Sequence, residues 1–382
     1  MNSFYDFAKK FNIVFVILIL LNCQISDGEE IKRTHRFIRS MAMSEACTAL
    51  EGKESIAHNP AGLLVKNGKW SMSFPLIWLT FNDTLKQSLN GSIDIDFNDQ
   101  EGLEELKGTR VFAELQLAMP FLYFPDSGVF WGVSTDNWIE FIFPIQSIIP
   151  MVHLELVNQN IVEYGFAFET FLTGLNFGAN IKFVQRIGAI ADISLLRAPN
   201  LTQEELYQEY SPDPPSPKII LDIGFLYRFD HPLNFRVGIS ALDIAGLDVG
   251  GEGSLHYGSI DYGSVGVVKQ FNSVGFAATQ ELDNLDITYS ADFHDFTFNY
   301  FPNTSIKRRI ALGAEAAFGK NPDDSYLMIL GVGLKELEYP SFGFSGKLGV
   351  LKISTVQWVE NFGTENVKKP DKRYMFQISF DF

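Results

Sequence analysis

The sequence predicts an all-β chain, a transmembrane antiparallel β-barrel of about fourteen strands with a short N-terminal hatch (plug) segment. Three observations carry that expectation. Strand-length segments alternate apolar and polar residues along most of the chain, a short apolar leader opens it, and the last strand alternates up to Phe382.

The leader comes first. Lys9 and Lys10 precede an apolar run from Phe11 to Leu21. About eleven apolar residues are too few to span a bilayer as a helix and match the apolar region of a signal peptide. Ser26 and Gly28 are small residues placed for a cut before Glu29, so residues 1–28 are expected to be a signal peptide. Lipidation at Cys23, in "LLNC", is the competing route, although Asn22 stands where such motifs usually carry Gly or Ala. Either route exports the chain. Cys23 and Cys47 are the only cysteines, so removing the leader leaves Cys47 without a disulfide partner.

Residues 29–66 precede the strand pattern as a separate segment, the one a family resemblance of its residues implies to be a hatch. Small residues at Ser40, Ala42, Ala46 and Ala49 lead to Asn59-Pro60-Ala61-Gly62, which reads as a short helix or turn followed by a tight turn. Pro60 fixes φ and removes a donor, Gly62 permits the turn, and the Asn59 side chain is able to bond exposed backbone groups.

Residues 67–382 carry the strand pattern. In "RVFAELQLAMPF", Val111, Ala113, Leu115, Leu117, Met119 and Phe121 fall on one face, against Arg110, Glu114 and Gln116. Leu221, Ile223, Phe225, Tyr227 and Phe229 oppose Asp222, Gly224, Leu226 and Arg228. Similar alternation runs through "LNFGANIKF" (175–183), "LNFRVGISA" (233–241), "LDITYSADF" (285–293) and "IALGAEAAF" (310–318). Turn signals separate them, among them Pro125-Asp126-Ser127-Gly128, Asp230-His231-Pro232, Pro302-Asn303 and 321–324.

A sandwich, propeller or soluble barrel also alternates. Here one face is rich in Phe and Tyr, as a lipid-facing band would be. The other is small or charged, as a hydrated lumen would be, with Phe112 and Leu226 as apolar exceptions. The most apolar later segment, 137–157, is interrupted by Glu140, Pro144, Gln146 and Pro150 and does not read as a membrane helix. In the last strand Tyr374, Phe376, Ile378, Phe380 and Phe382 share one face. A closing strand that ends in Phe resembles the signal read by the barrel-assembly machinery of bacterial outer membranes.

Composition excludes several classes. A formal charge of −16 with scattered basic residues argues against nucleic acid. The run Lys307-Arg308-Arg309 reads as a strand start facing water. Six histidines lie far apart, and no nucleophile elbow or phosphate-binding loop is present, so no enzyme, cofactor or metal is expected. The lone His153 lacks the positioned partners that catalysis needs. Asp94, Asp96, Asn98 and Glu105 have calcium-loop spacing, but Asp99 stands where such loops need Gly, and a solvated segment is expected. Residues 196–218 read as a second long insertion.

Ala42, Ala46, Ala49 and Asn59-Pro60-Ala61-Gly62-Leu63 resemble the hatch of the long-chain fatty-acid transporter family (FadL-like), with its PorV-like and TraF-like relatives. Glu360, Gly363, Asp371, Arg373 and Tyr374 are similar to the closing strands of the same group. Ser44 and Glu45 depart from it, standing where those families often place glycines. The resemblance implies an outer membrane of Gram-negative type, membrane lipids and a hydrophobic small-molecule ligand as partners, and diffusion-driven uptake gated at Asn59, Pro60, Ala61 and Gly62. It equally admits a non-transporting scaffold with an envelope protein partner. A general porin suits the polar lumen but not the hatch.

Overall fold

The computed structural model describes residues 36–66, 68–90, 109–143, 151–194, 216–249, 255–297, 305–320, 326–362 and 368–382. The leader with Cys23, the spacing around Asp94 to Glu105, most of the 196–218 insertion, the turn signals at 302–303 and 321–324, and Gly363 lie outside these residues.

The plug segment holds α1 (Ile38–Ala42) and two 3-10 turns, Lys53–Ala57 and Pro60–Leu63. The wall begins with β1 (Ser71–Asn82), followed by α2 (Asp83–Leu89), β2 (Arg110–Phe124), β3 (Val129–Ile142) and β4 (Met151–Glu169). Next come β5 (Leu175–Ser194), β6 (Lys218–Arg228) and β7 (Arg236–Asp248). Three short strands interrupt the wall: β8 (Leu255–Tyr257), β9 (Ser259–Asp261) and β10 (Val267–Lys269). The wall resumes with β11 (Phe271–Leu282), β12 (Leu285–His294), β13 (Ile310–Lys320) and β14 (Tyr326–Lys335). It ends with β15 (Tyr339–Leu348), β16 (Leu351–Asn361) and β17 (Pro370–Asp381).

Every wall strand pairs antiparallel with its neighbours, β7 pairs with β11, and β17 returns to β1, so fourteen strands close a ring. Closure leaves no edge to cap. Across the seam Leu79 faces Phe376 and Phe81 faces Tyr374. Beyond them Met72 and Phe382 exchange backbone hydrogen bonds of 3.0 and 2.8 Å. Most short turns lie at the end where β1 starts and β17 finishes, and the longer connections leave from the other end, which also carries the tight β14–β15 turn at 336–338.

The alternation sorts the two faces as their chemistry demands. On β6, Ile219 and Leu221 point outward while Lys218, Asp222 and Leu226 are buried inside. Outward rings on neighbouring strands and their turns touch around the short-turn rim: Phe168–Phe177, Phe177–Phe225, Tyr227–Phe229, Phe229–Phe235 and Phe235–Phe276, at centroid distances of 4.7 to 6.4 Å. Such a girdle suits a membrane interface. No helix among the described residues is long and apolar enough to cross a membrane.

Two readings need correction. Phe121 does not share the outward face of β2. Both β1 and β2 shift register, between Ser73 and Leu76 and between Ala118 and Phe121, around Pro75 and Pro120. A proline cannot donate to a ladder and favours a bulge, and the extra residue turns Phe121 into the barrel. Arg309 does not face water either. It is fully buried and donates to the Asp295 carboxylate at 2.7 Å.

Candidate functional site

The plug is positioned residue by residue. Ser44 and Glu45 have φ of 53° and 67°, so the left-handed turn expected of glycines is made here by two ordinary residues. The strain is held by what they bond. The Ser44 hydroxyl meets Ser341 of β15 at 2.8 Å, and the Glu45 carboxylate accepts from Lys335 of β14 at 2.9 Å. Farther on, Asn59 caps the second 3-10 turn: its Oδ1 accepts from the Ala61 N–H at 3.2 Å, with Pro60 in the first turn. Its Nδ2 donates to Thr48 O within the plug at 2.7 Å and to Phe225 O of the wall at 3.0 Å. One buried amide therefore ties turn, plug and barrel together. The wall makes room with glycine: a Cβ on Gly224 would lie 1.9 Å from Asn59 Oδ1, and one on Gly178 2.2 Å from Ala61 N.

Charged groups fasten the plug around the ring. Arg39 forms a two-pronged pair with Glu315 of β13, at 2.7 and 2.9 Å. Glu51 takes Arg228 of β6 and, at 3.0 Å, Arg236 of β7. Lys53 donates to Ser73 at 2.7 Å and to Asp381 at 3.1 Å, next to the seam. One oxygen of Asp292 on β12 accepts from Cys47 N, Thr48 N and Thr48 Oγ1 at 2.8, 2.8 and 2.7 Å. Burial opposes the Arg39 charge, but the Glu315 carboxylate holds its pKa above the ordinary arginine value. Burial lowers Lys53, against the pull of Asp381. Burial, then the Asp292 charge, raises the Cys47 thiol well above its usual range, which keeps it unreactive. A cavity of about 30 Å³ between α1 and the wall is lined by Arg39, Glu54, Glu315 and Lys352 among others. It has room for about one or two waters and none for an organic ligand.

Above the plug the lumen is polar. Lys182 pairs with Asp222 at 2.9 Å and with Asp243 at 2.6 Å, and Asn180 donates to Asp222 at 3.1 Å. Asp243 sits at φ 54° where the β6–β7 register shifts, which aims its carboxylate at the lysine.

One region breaks this polarity. Phe112, Trp138, Val157, Ile161, Val184 and Ile220 form an apolar patch on the inner wall. The insertion after β7 folds back onto it, placing Ile260, Tyr262 and Val265 in the same cluster. Tyr262 is 1% exposed, with the Arg186 guanidinium 4.7 Å and the Lys218 ammonium 5.5 Å from its ring. An apolar surface is thus present inside the barrel, covered by the chain's own hairpin.

Sequence reasoning singled out Asn59 to Gly62, which the structure places together at the plug–wall joint, all buried. Of the two apolar lumen exceptions, Phe112 belongs to the patch and Leu226 packs under the plug. Tyr374, Phe376, Ile378, Phe380 and Phe382 point outward along the closing strand. The hairpin was missed. Its only signal was the short segments "SID" and "VVK" on either side of a glycine-containing turn. His153 lies near the long-loop end, half-exposed, with Nδ1 2.9 Å from Asp192. Among the described residues no group of three His, Cys, Asp or Glu is arranged to hold a metal.

No family model matches the chain and no curated protein matches it in sequence. Among solved structures it is similar to the Pseudomonas putida toluene transporter TodX, at 10% identity and TM-score 0.47, over 94% of this chain and 99% of that one. It is similar to the Ralstonia pickettii toluene transporter TbuX at 12% identity and TM-score 0.47, over 92% and 98%. The outer membrane phospholipase A of Escherichia coli is more distant, at 10% identity and TM-score 0.27, over 81% and 92%. Likeness of this degree concerns the barrel architecture and no residue of the site.

Proposed function

We propose that this chain is an outer-membrane barrel for the diffusion-driven passage of hydrophobic small molecules, in a Gram-negative-type envelope. The observation that carries the reading is the apolar wall patch of Phe112, Trp138, Ile161 and Ile220, set in a polar lumen and covered by Ile260, Tyr262 and Val265. A polar pore needs no such surface. A hydrophobic solute does, because affinity comes from removing apolar area from water. The solute displaces the hairpin from the patch and then passes the plug at the Asn59–Gly62 joint. Long-chain fatty acids are the first substrates to assay, on the resemblance of the plug sequence.

The test is a reversible lock. A Cβ on Gly246 would lie 3.0 Å from the Ile260 side chain, so Gly246→Cys with Ile260→Cys places two thiols within disulfide reach. Uptake of a labelled fatty acid into cells or liposomes should stop in the oxidised protein and return on reduction. Equal uptake in both states would reject passage beneath the hairpin.

A second reading, a scaffold for an envelope assembly, is favoured by the ion pairs that fasten the plug from β6, β7, β13 and β14. A scaffold predicts a stoichiometric protein partner in the extracted complex and no hydrophobe carried with the barrel.

A further inference from the structure

Outside the lumen, the closing seam carries a small basic and aromatic cluster that neither plug nor hairpin uses. The geometry points to a binding site for the phosphate of an anionic outer-leaflet glycolipid on the outer wall at β1 and β17, held by Lys86 and Lys372. It goes beyond transport and rests only on the barrel's lying in an outer membrane.

The site is built from Tyr374. Its ring lies on the outward face of β17 and stacks on Phe81 of β1, 5.6 Å away at 26°. The Asn82 side chain accepts from Leu85 N at 3.2 Å and so starts α2 directly above that pair. One turn on, the Lys86 ammonium stands 4.6 Å from the Tyr374 centroid. Lys372, two residues before Tyr374 on the same strand, brings a second ammonium to 5.5 Å. Two like charges thus gather on one ring, and among the described residues neither has a carboxylate partner. The Asp83 carboxylate lies at the same ring, accepting the Tyr374 hydroxyl at 3.1 Å and the Gln87 amide at 2.9 Å, and forms no ion pair with either lysine. Among the described residues two ammoniums thus stand against one carboxylate at this ring, a net positive spot on a chain of net charge −16 that suits an anion.

The level of the cluster selects which anion. Below Tyr374 the outward residues of β17 are Phe376, Ile378, Phe380 and Phe382, beside Ile77 and Leu79 of β1. From Lys372 to Phe382 the strand runs about 33 Å, which a tilt of about 40° reduces to a height of about 25 Å, that of a lipid-facing band. The lysines therefore sit at headgroup depth above a column of exposed apolar side chains, with Leu89 of α2 78% exposed beside them. A free phosphate would use only the ammoniums. A phosphorylated glycolipid uses the ammoniums for its headgroup and the column for its chains.

The experiment is native mass spectrometry of the full barrel in mild detergent, titrated with bisphosphorylated lipid A and with the same glycolipid stripped of its phosphates. Lys86→Gln or Lys372→Gln should weaken retention of the phosphorylated form about fivefold each, and the double variant roughly 25-fold. The stripped lipid should bind wild type and double variant alike. Folding of each variant is checked by heat-modifiable gel mobility. Unchanged retention of the phosphorylated lipid by the folded double variant would overturn the proposal. So would inorganic phosphate displacing the lipid at equal concentration, which would make this a site for free phosphate.

Discussion

Asp292 of β12 holds Thr48 of the plug twice through one oxygen, accepting its backbone N–H at 2.8 Å and its hydroxyl at 2.7 Å. The Cys47 N–H joins them at 2.8 Å, so one wall carboxylate anchors the plug's central turn. Hydrogen bonds to a charged group are worth about 1.5–3 kcal/mol each, and orphaned buried donors add a penalty. Asp292→Ala should loosen plug docking by about 3 kcal/mol, roughly a hundredfold in the undocked population. The buried thiol of Cys47 reports it, because alkylation by a maleimide needs exposure. Removing Asp292 also eases thiol ionisation, so Thr48→Val, which keeps the carboxylate, is the companion variant. It should speed labelling about tenfold. Labelling at the wild-type rate in both variants would show that this anchor does not hold the plug.

Glu51 bridges two strands, since Arg228 and Arg236 both reach its carboxylate. The three side chains are 11–24% exposed, so the loss on breaking the group is smaller than for a fully dry pair. Glu51→Gln should cost about 2 kcal/mol of barrel stability, read as a lower midpoint of heat modifiability. Arg236→Gln made in the Glu51→Gln background should then cost less than in the wild type, because the partner is already gone. Additive losses would show that the two residues are not coupled.

The ring itself was legible in the sequence, because a closed wall with an apolar outer face and a polar inner face enforces period-2 alternation. Asn59 and Pro60 were legible for a different reason: a side-chain cap beside a fixed φ has a local signature. What could not be read was decided by contacts distant in sequence. Phe121 turned inward because β1 and β2 bulge together at Pro75 and Pro120. Arg309 was buried because Asp295 waits across a loop. The plug's partners on β6, β12 and β13 lie some 180 to 280 residues downstream, and no local pattern marks which inward-facing charge will meet it. The hairpin escaped because its strands are three residues long, below the length at which alternation is distinct.

Tyr262 fixes that hairpin. Its ring is buried against the wall patch with Arg186 and Lys218 beside it. Truncating a buried aromatic costs about 3–5 kcal/mol. Tyr262→Ala should therefore shift the hairpin toward an uncovered state while the wall ladders stay intact. Hydrogen exchange over 255–269 should rise by two orders of magnitude or more, with β4 and β5 unchanged. Uptake of a labelled hydrophobe should increase in the same variant. Faster exchange without faster uptake would separate hairpin motion from transport.

Phe382 tests whether the last residue is a backbone partner or a recognition element. Its N–H donates to Met72 O at 2.8 Å and its carbonyl accepts from Met72 N at 3.0 Å, so the backbone closes the ladder whatever the side chain. The ring is 54% exposed on the outward face and contributes little to the folded wall. Phe382→Ala keeps both hydrogen bonds and should leave the stability of folded barrel within about 1 kcal/mol of wild type. If assembly machinery reads the aromatic end, the amount of barrel reaching the membrane should nevertheless fall several-fold. Pulse-chase of heat-modifiable barrel in cells, set beside refolding of the purified chain into detergent, separates the two. A defect in cells with normal refolding assigns the side chain to recognition. Equal losses in both would assign Phe382 to the closure of the ring, and the outward column from Tyr374 to Phe380 would then serve the lipid face alone.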